Sequence, residues 1–182
     1  MPGNWGYLSN DIKYYVEKNI PKESSVLDIG CGHGHYAKLL KDHFINKMHG
    51  VEIWQKYIDK YSLESLYSKI YNVNILDFRF DYYNFIIIGD VLEHLSREDG
   101  TKLISYLCDR CDEILVVVPY NLPQDIVNEN KYEIHLQPDL NDEIMKNFYP
   151  QLELIKIEDK ELKIKVEVGE NTYYYCAFRK KK

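Results

Sequence analysis

The sequence predicts an α/β fold: a doubly wound, mostly parallel seven-stranded sheet that ends in an antiparallel strand pair. Over residues 10–118, short apolar runs alternate with helical patterns, which is typical of parallel strands joined by crossover helices. The run 85–89 carries no polar side chain, as expected of a strand buried on both faces. Two C-terminal strand patterns, 152–158 and 172–179, have no helical pattern between them and predict the closing pair.

The elements follow in a regular order, each indicated by the period of its apolar residues or by its bounding turn residues. Strand patterns lie at 25–29, 48–53, 70–74, 85–89, 113–118, 152–158 and 172–179, with a further one at 162–168. Helical patterns lie at 10–18, 35–44, 55–66, 97–111 and 141–148. The segment 120–138 is polar and lacks a period. A chain of 182 residues is expected to form one domain.

Bulk composition excludes several classes. The net charge of −6 argues against a duplex nucleic-acid partner, because such binding relies on cationic contacts to phosphate. The start of the chain shows no signal-peptide pattern, and no apolar run is long enough to span a membrane, which predicts a cytoplasmic location without a membrane partner. The four cysteines form no disulfide framework, and Cys108-x-x-Cys111 lacks the second pair of a zinc site.

The most informative segment is 26–34, VLDIGCGHG. A strand pattern that runs directly into a helix through alternating glycines lets a ligand lie against bare backbone. Glu52 follows Asp28 by 24 positions, at the end of the next strand pattern. An acid at this place in a nucleotide-binding βαβ unit accepts hydrogen bonds from ribose hydroxyls, so the ligand is expected to carry a ribose.

Four segments together carry a resemblance. The glycine segment is similar to the first motif of class I S-adenosylmethionine (SAM)-dependent methyltransferases. The segments 74–78 (NILDF), 85–95 (FIIIGDVLEHL) and 114–119 (ILVVVP) resemble later motifs of that family, in the same order. The resemblance extends from about residue 24 to residue 119. It implies a class I methyltransferase fold, SAM as methyl donor and S-adenosylhomocysteine (SAH) as product.

The resemblance also implies cofactor contacts. The glycines would line the methionine portion, with Asp28 orienting the turn, and Glu52 would take the ribose. Two residues beside Glu52 would flank the adenine, and Asp77 would accept from its amino group. Asp90 would lie at the sheet edge where ligands bind. The full set is Asp28, Gly30, Cys31, Gly32, Gly34, Glu52, Ile53, Trp54, Asp77, Phe78 and Asp90.

The sequence says less about the residues that bind the methyl acceptor. His94, His135 and Tyr120 are candidates for catalysis, with the last two chosen by their position along the chain. Residues 1–23, an N-terminal helical segment, and 119–139, an acceptor-side loop, are expected to select the acceptor. The loop is expected to act as a mobile lid, although an ordered crossover remains open. A small-molecule acceptor, methylated on oxygen or nitrogen, fits best; a nucleotide or a protein side chain remains open.

Two further alternatives remain open. No metal is expected, but Asp90-x-x-Glu93-His94 with His135 has the ligands of a hard-cation site for Mg²⁺. The chain could also be a non-catalytic SAM- or SAH-binding module or partner subunit, since its donor motifs would look the same. An NAD-dependent oxidoreductase is disfavoured by the G-x-G-x-G spacing and by the terminal strand pair.

Overall fold

The computed structural model describes residues 6–46, 48–80, 82–168 and 171–181, so the start of the predicted segment 1–23 lies outside them. The helices are α1 Ser9–Asn19, α2 His35–Leu39, α3 Gln55–Tyr61, α4 Leu63–Leu66, α5 Arg97–Cys108 and α6 Asp142–Phe148. The strands are β1 Val26–Ile29, β2 His49–Val51, β3 Lys69–Tyr71, β4 Tyr83–Gly89, β5 Cys111–Tyr120, β6 Leu152–Leu154, β7 Lys156–Ile157, β8 Lys160–Glu161, β9 Lys163–Val168 and β10 Asn171–Lys180. Short 3₁₀ turns occupy Leu92–His94 and Lys131–Glu133.

The main sheet has the order β3-β2-β1-β4-β5-β10-β6, and β9 also pairs with β10. The first five strands run parallel, and β10 is antiparallel to β5. The predicted doubly wound α/β fold is therefore confirmed, but the sheet has eight strands instead of seven.

The eighth strand is β9, which corresponds to the further strand pattern at 162–168. The predicted strand 152–158 stops at β6, and the chain then forms the small β7–β8 hairpin. After this hairpin the chain pairs with β10 again through β9. The residues on either side of the hairpin bond the same residue of β10: Ile155 N donates to Ala177 O (2.9 Å), and Ala177 N donates to Leu162 O (2.9 Å).

Strand β4 lies in the centre of the sheet and separates two apolar layers. Phe85 and Ile87 belong to the layer that contains α1 and α2, whereas Ile86 and Ile88 belong to the layer that contains α5. All four are completely buried. The continuous apolar run thus reflects burial of both strand faces, as the sequence predicts.

Three helices differ from their predicted bounds. Helix α2 ends at Leu39, whereas the helical pattern extends to residue 44. The helical pattern at 55–66 is broken at Ser62, whose φ of 50° ends α3 and starts α4. Cys111, predicted near the end of a helix, begins β5. The Nζ of Lys180 donates to the carbonyls of Cys108 (2.7 Å) and Cys111 (2.9 Å), so β10 fixes this turn. Within the described ranges, no helix is long and apolar enough to cross a membrane.

The polar segment 120–138 is a crossover held by specific hydrogen bonds. Asn121 N donates to Leu140 O (3.1 Å) and closes its base. The amides of Leu136 and Gln137 both donate to the Glu93 carbonyl, at 2.8 and 3.0 Å. The second half of the segment is thereby attached to the 3₁₀ turn that follows β4.

Candidate active site

A cavity of about 340 Å³ opens at the carboxyl ends of β1, β2 and β4. This is the edge of an open α/β sheet where ligands bind, and the volume is in the range of small-molecule sites. Its walls come from four stretches of chain: the glycine turn, the end of β2, the segment 73–76 and the end of β4. Residues 130–134 and Leu136 of the crossover cover it.

The glycine turn needs its glycines for different reasons. Gly30 has a φ of 72°, and a Cβ there would overlap Cγ2 of Val91. Gly32 also has a positive φ, 54°, but its Cβ would meet no atom closer than 3.9 Å. Both line the cavity, as does Cys31. Gly34 does not; a Cβ there would meet Leu66 and Leu63, so this glycine allows α4 to pack closely.

Glu52 follows β2 and points into the cavity. Its Oε2 accepts from Gly32 N (2.9 Å) and its Oε1 accepts from Trp54 N (2.8 Å). These two bonds fix the carboxylate and leave a further acceptor position on each oxygen. Burial raises the pKa of Glu52, and the two backbone donors oppose that shift.

Asp28, predicted to orient the turn, lies behind the cavity wall. It is fully buried, and its Oδ2 accepts from the Tyr67 hydroxyl at 2.5 Å. Burial raises the pKa of Asp28 to about 7; the Tyr67 hydrogen bond lowers it and the nearby Glu52 charge raises it further. Asp28 therefore supports the turn from behind instead of lining the cavity.

Three of the four residues predicted to contact the adenine do not line the cavity. Ile53 lines the cavity, but Trp54 does not; its ring packs edge-on against Tyr132. Asn74 and Leu76 line the cavity in place of the predicted Asp77 and Phe78.

The physical reason is the early end of β3 at Tyr71, which starts the following turn sooner. Asp77 is exposed, and the ring of Phe78 packs at a tilt against Tyr71 with centroids 4.6 Å apart. The backbone amides of Asp77 and Phe78 both donate to Asn74 O. This turn directs both side chains away from the cavity.

Two buried carboxyls follow β4. Asp90 lines the cavity in a left-handed conformation, with φ of 53°, and Glu93 lies on the 3₁₀ turn behind it. Among the residues that the structure describes, none donates a hydrogen bond to any of their four carboxyl oxygens. Burial raises the pKa of Asp90 to about 7, with the charge of Glu133 adding to it, and raises the pKa of Glu93 well above its usual range.

The three predicted catalytic residues do not lie together in the cavity. His94 lines the cavity; burial lowers its pKa to about 4, and neighbouring main-chain carbonyls oppose the shift. His135 packs behind it, with ring centroids 4.8 Å apart. Tyr120 is buried in the core against Phe178 and does not line the cavity, because β5 extends through it and its side chain enters the layer that contains α5. This position does not support the predicted catalytic role of Tyr120.

Comparison with protein families identifies the family to which the chain belongs. A family model described as a methyltransferase domain matches residues 6–120, more than half of the chain. The match runs from the start of the described structure to the last residue of β5 and includes the glycine turn, Glu52, Asp90 and His94. The chain belongs to this methyltransferase family. It is therefore an enzyme of the methyltransferase class. No curated protein sequence matches it.

Solved structures confirm the fold of the methyltransferase. A SAM-dependent methyltransferase from Clostridium acetobutylicum superposes with a TM-score of 0.68 at 13% identity, over 98% of this chain and 93% of that one. Magnesium protoporphyrin IX methyltransferase from Synechocystis, with bound SAM, gives 0.64 at 13% identity, over 95% and 78%. The N-methyltransferase NodS from Bradyrhizobium japonicum, in complex with SAH, gives 0.63 at 12% identity, over 98% and 89%.

Several residues of the methyltransferase cavity escaped sequence reasoning. His33 and His35 present side chains to the cavity, and Tyr57 contributes from α3. Tyr132 and Glu133 reach it from the crossover. The crossover pair had no signal in the sequence, because a segment without a period does not reveal which side chains face inward. Tyr57 could have been found from its helical register on the inner face of α3, next to the buried Ile58.

Proposed function

We propose that this chain transfers the methyl group of SAM to an oxygen or nitrogen of a small-molecule acceptor and releases SAH. The observation that carries the proposal is Glu52: a buried carboxylate that lines the cavity, is fixed by two backbone amides and keeps one acceptor position on each oxygen. This arrangement suits a pair of neighbouring ribose hydroxyls. The structural neighbours that hold SAM or SAH support the same cofactor.

The residues present fit SAM along the length of the cavity. Gly30–Gly32 offer bare backbone to the methionine portion, and Glu52 takes the ribose. Ile53, Asn74 and Leu76 form the slot for the adenine, with the Asn74 side chain replacing the role predicted for Asp77. SAM itself supplies the sulfonium-activated methyl group, so the protein has to orient the two reactants and exclude water.

The acceptor is proposed to enter beside Asp90 and His94, under the crossover. Tyr132, Ile134 and Leu136 give this wall apolar surface, and Asp90, His94 and Glu133 add a small set of polar groups. Such a wall favours a small organic molecule over a nucleic acid. His94 is retained in the proposal as the imidazole of the acceptor wall, with His135 acting through it. Tyr120 is left out.

Two broader expectations remain part of the proposal. Residues 1–182 form one domain that carries both the donor and the acceptor sites. The protein acts in the cytoplasm, which agrees with four buried cysteines that are all free thiols.

Calorimetry with SAM, SAH and NAD tests the cofactor assignment. SAM and SAH are expected to bind and NAD to give no heat. Glu52→Ala should weaken SAM binding by about 2 kcal/mol, roughly 30-fold, because two hydroxyls lose their acceptor in a desolvated site. Glu64→Ala, an exposed acid on α4, is the matched control and should leave affinity unchanged. An affinity within twofold of wild type in Glu52→Ala would refute the ribose assignment.

Turnover is tested separately, by SAH formation from SAM in the presence of candidate oxygen and nitrogen acceptors. SAH that appears only with an acceptor supports the proposed reaction. Tight SAM binding without SAH formation for any acceptor class would instead favour a non-catalytic binding module.

A further inference from the structure

The contact between the 3₁₀ turn after β4 and the crossover brings together three possible metal ligands. Glu93, His94 and His135 each offer one ligand atom, and these atoms all lie within 4.8 Å of one another. His135 arrives from 41 positions further along the chain, so tertiary packing creates the group. Asp90, the fourth member of the set suggested by the sequence, is not part of it.

The hydrogen bonds of the two imidazoles determine which nitrogen is available. His94 Nδ1 lies 3.1 Å from the Ile134 carbonyl, and His135 Nδ1 lies 2.5 Å from the Leu122 carbonyl. A carbonyl only accepts, so each Nδ1 carries the proton of a neutral ring. Each Nε2 then keeps its lone pair. An Nδ1–H bonded to a backbone carbonyl is the arrangement that orients metal-binding histidines.

Glu93 supplies the third observation. Its side chain is 1% exposed, and neither carboxyl oxygen has a hydrogen-bond partner. Buried carboxyls in proteins are normally paired, hydrogen-bonded or bound to a metal. Among the described residues, no cationic side chain forms an ion pair with Glu93. A cation bound between this carboxyl and the two imidazoles would satisfy it.

We propose that Glu93, His94 and His135 bind a divalent transition-metal ion of the Zn²⁺, Co²⁺ or Mn²⁺ class in the wall of the cavity. Two imidazoles and one carboxylate favour these ions over Mg²⁺, which prefers oxygen ligands. This differs from the hard-cation alternative drawn from the sequence. Metal–ligand bonds of about 2.0–2.2 Å require the ligand atoms to move closer by about 1 Å. The Glu93 carboxyl has no hydrogen bond that resists this.

Three protein ligands leave a coordination position open. His94 is the member of the group that lines the cavity, so the open position faces the acceptor wall. There the ion would hold an acceptor oxygen, which makes His94 a ligand instead of a proton acceptor. Metal binding itself does not depend on the proposed methyl transfer, because it is measured without donor or acceptor.

The first test titrates metal-free wild-type protein with Co²⁺ and follows its visible absorption, with Mg²⁺ as comparator. One equivalent of Co²⁺ should bind, with affinity falling about tenfold or more in Glu93→Gln and in His135→Ala. The control is His49→Gln. His49 bonds the Tyr83 hydroxyl at 2.7 Å, away from the group, and its loss should leave Co²⁺ binding intact. Equal Co²⁺ binding by wild type and Glu93→Gln would overturn the site, as would tighter binding of Mg²⁺.

A stability measurement separates loss of a ligand from loss of folding. With chelator present, Glu93→Gln should melt at the same temperature as wild type or above it, because the variant removes a buried acid without a partner. With Co²⁺ present, wild type should gain melting temperature and Glu93→Gln should not. A variant that is less stable than wild type by the same amount in both conditions would assign Glu93 a purely structural role.

Discussion

The proposed donor and acceptor halves of the cavity are built in opposite ways. On the donor half, Gly30, Gly32 and Glu52 take their positions from the ends of adjacent parallel strands, and the Gly32 amide donates to the Glu52 carboxylate. On the acceptor half, His94 and the crossover residues meet only because a segment of irregular backbone folds back onto the turn after β4. The donor half is thus a property of the sheet, whereas the acceptor half is a property of one long connection.

This difference explains what each half can tolerate. A site formed by strand ends is rigid and leaves little room for substitution at its backbone. A site formed by a connection depends on a few hydrogen bonds between side chains and carbonyls, and each of these can be removed separately. Variants in the two halves should therefore affect different measurements.

The largest effect is expected at the glycine turn. Gly30→Ala should cost about 3 kcal/mol of folding stability, because it combines a left-handed conformation with overlap on Val91. Gly32→Ala, with open space around its Cβ, should cost about 1 kcal/mol from the backbone alone. Urea unfolding measures both, and equal losses would contradict the packing role assigned to Gly30.

The next effect is expected in the acceptor half. Gln137 donates to the Leu92 carbonyl (2.8 Å) and accepts from the Tyr149 hydroxyl (2.8 Å), and it is buried. Gln137→Ala should cost about 2 kcal/mol of stability, since two buried groups lose their partners. At a temperature where the variant is folded, its SAM affinity should stay within twofold of wild type. Gln55→Ala, an exposed substitution on α3, is the control. A matching loss of SAM affinity would show that the two halves are not separate.

A smaller effect is expected where the crossover meets the donor half. Glu133 lines the cavity, and its charge acts on Glu52 and Asp90. SAM carries a sulfonium charge that SAH lacks, so Glu133→Gln should reduce the preference for SAM over SAH by about 1 kcal/mol, roughly fivefold. Glu129→Gln, an exposed acid on the same segment, should leave the ratio unchanged. Calorimetry with SAM and with SAH measures the ratio of the two affinities. An unchanged ratio in Glu133→Gln would contradict an effect of the Glu133 charge on the sulfonium.

The smallest effect is a pH dependence of stability from Asp28. Burial raises its pKa from the ordinary 3.8 to about 7 in the folded protein, so the folded state binds the additional proton between these values. Its contribution is fully present below the unfolded pKa and is lost as pH rises through 7. Wild type should lose up to about 1 kcal/mol more than Asp28→Asn between pH 6 and 7. Parallel unfolding curves at the two pH values would contradict the shifted pKa.

The same contrast separates what the sequence predicts from what it does not. The alternating glycines and Glu52 follow from local rules, so a strand end and its turn can be read directly. The apolar run in β4 similarly predicts its central place in the sheet. Asp77 was predicted to face the cavity, but Asn74 does so instead. Strand β3 ends at Tyr71, earlier than its pattern predicts, and the Asn74 side chain accepts from Leu76 N to start the following turn.

The remaining failures have another cause. Tyr120 was assigned by its position after a strand, but β5 continues to include it and buries its ring. Glu133 and the meeting of His135 with His94 depend on contacts between residues about 40 positions apart. Periodicity carries no information about such contacts. The second half of the crossover is attached by bonds to Glu93 and Leu92 that only the folded chain displays, and its action as a lid stays a prediction.

The closed base of the crossover has a consequence for how this fold can change over time. The bond from Asn121 N to Leu140 O joins the two ends of the segment directly above the sheet. A replacement that keeps these two ends would leave every strand pairing intact. Because loop closure costs only about 0.6 kcal/mol more for each doubling of length, insertions here should lower the free energy of unfolding only slightly. Such an exchange would keep the strand ends that carry Gly30, Gly32 and Glu52, and would replace the part of the proposed acceptor wall that the crossover supplies.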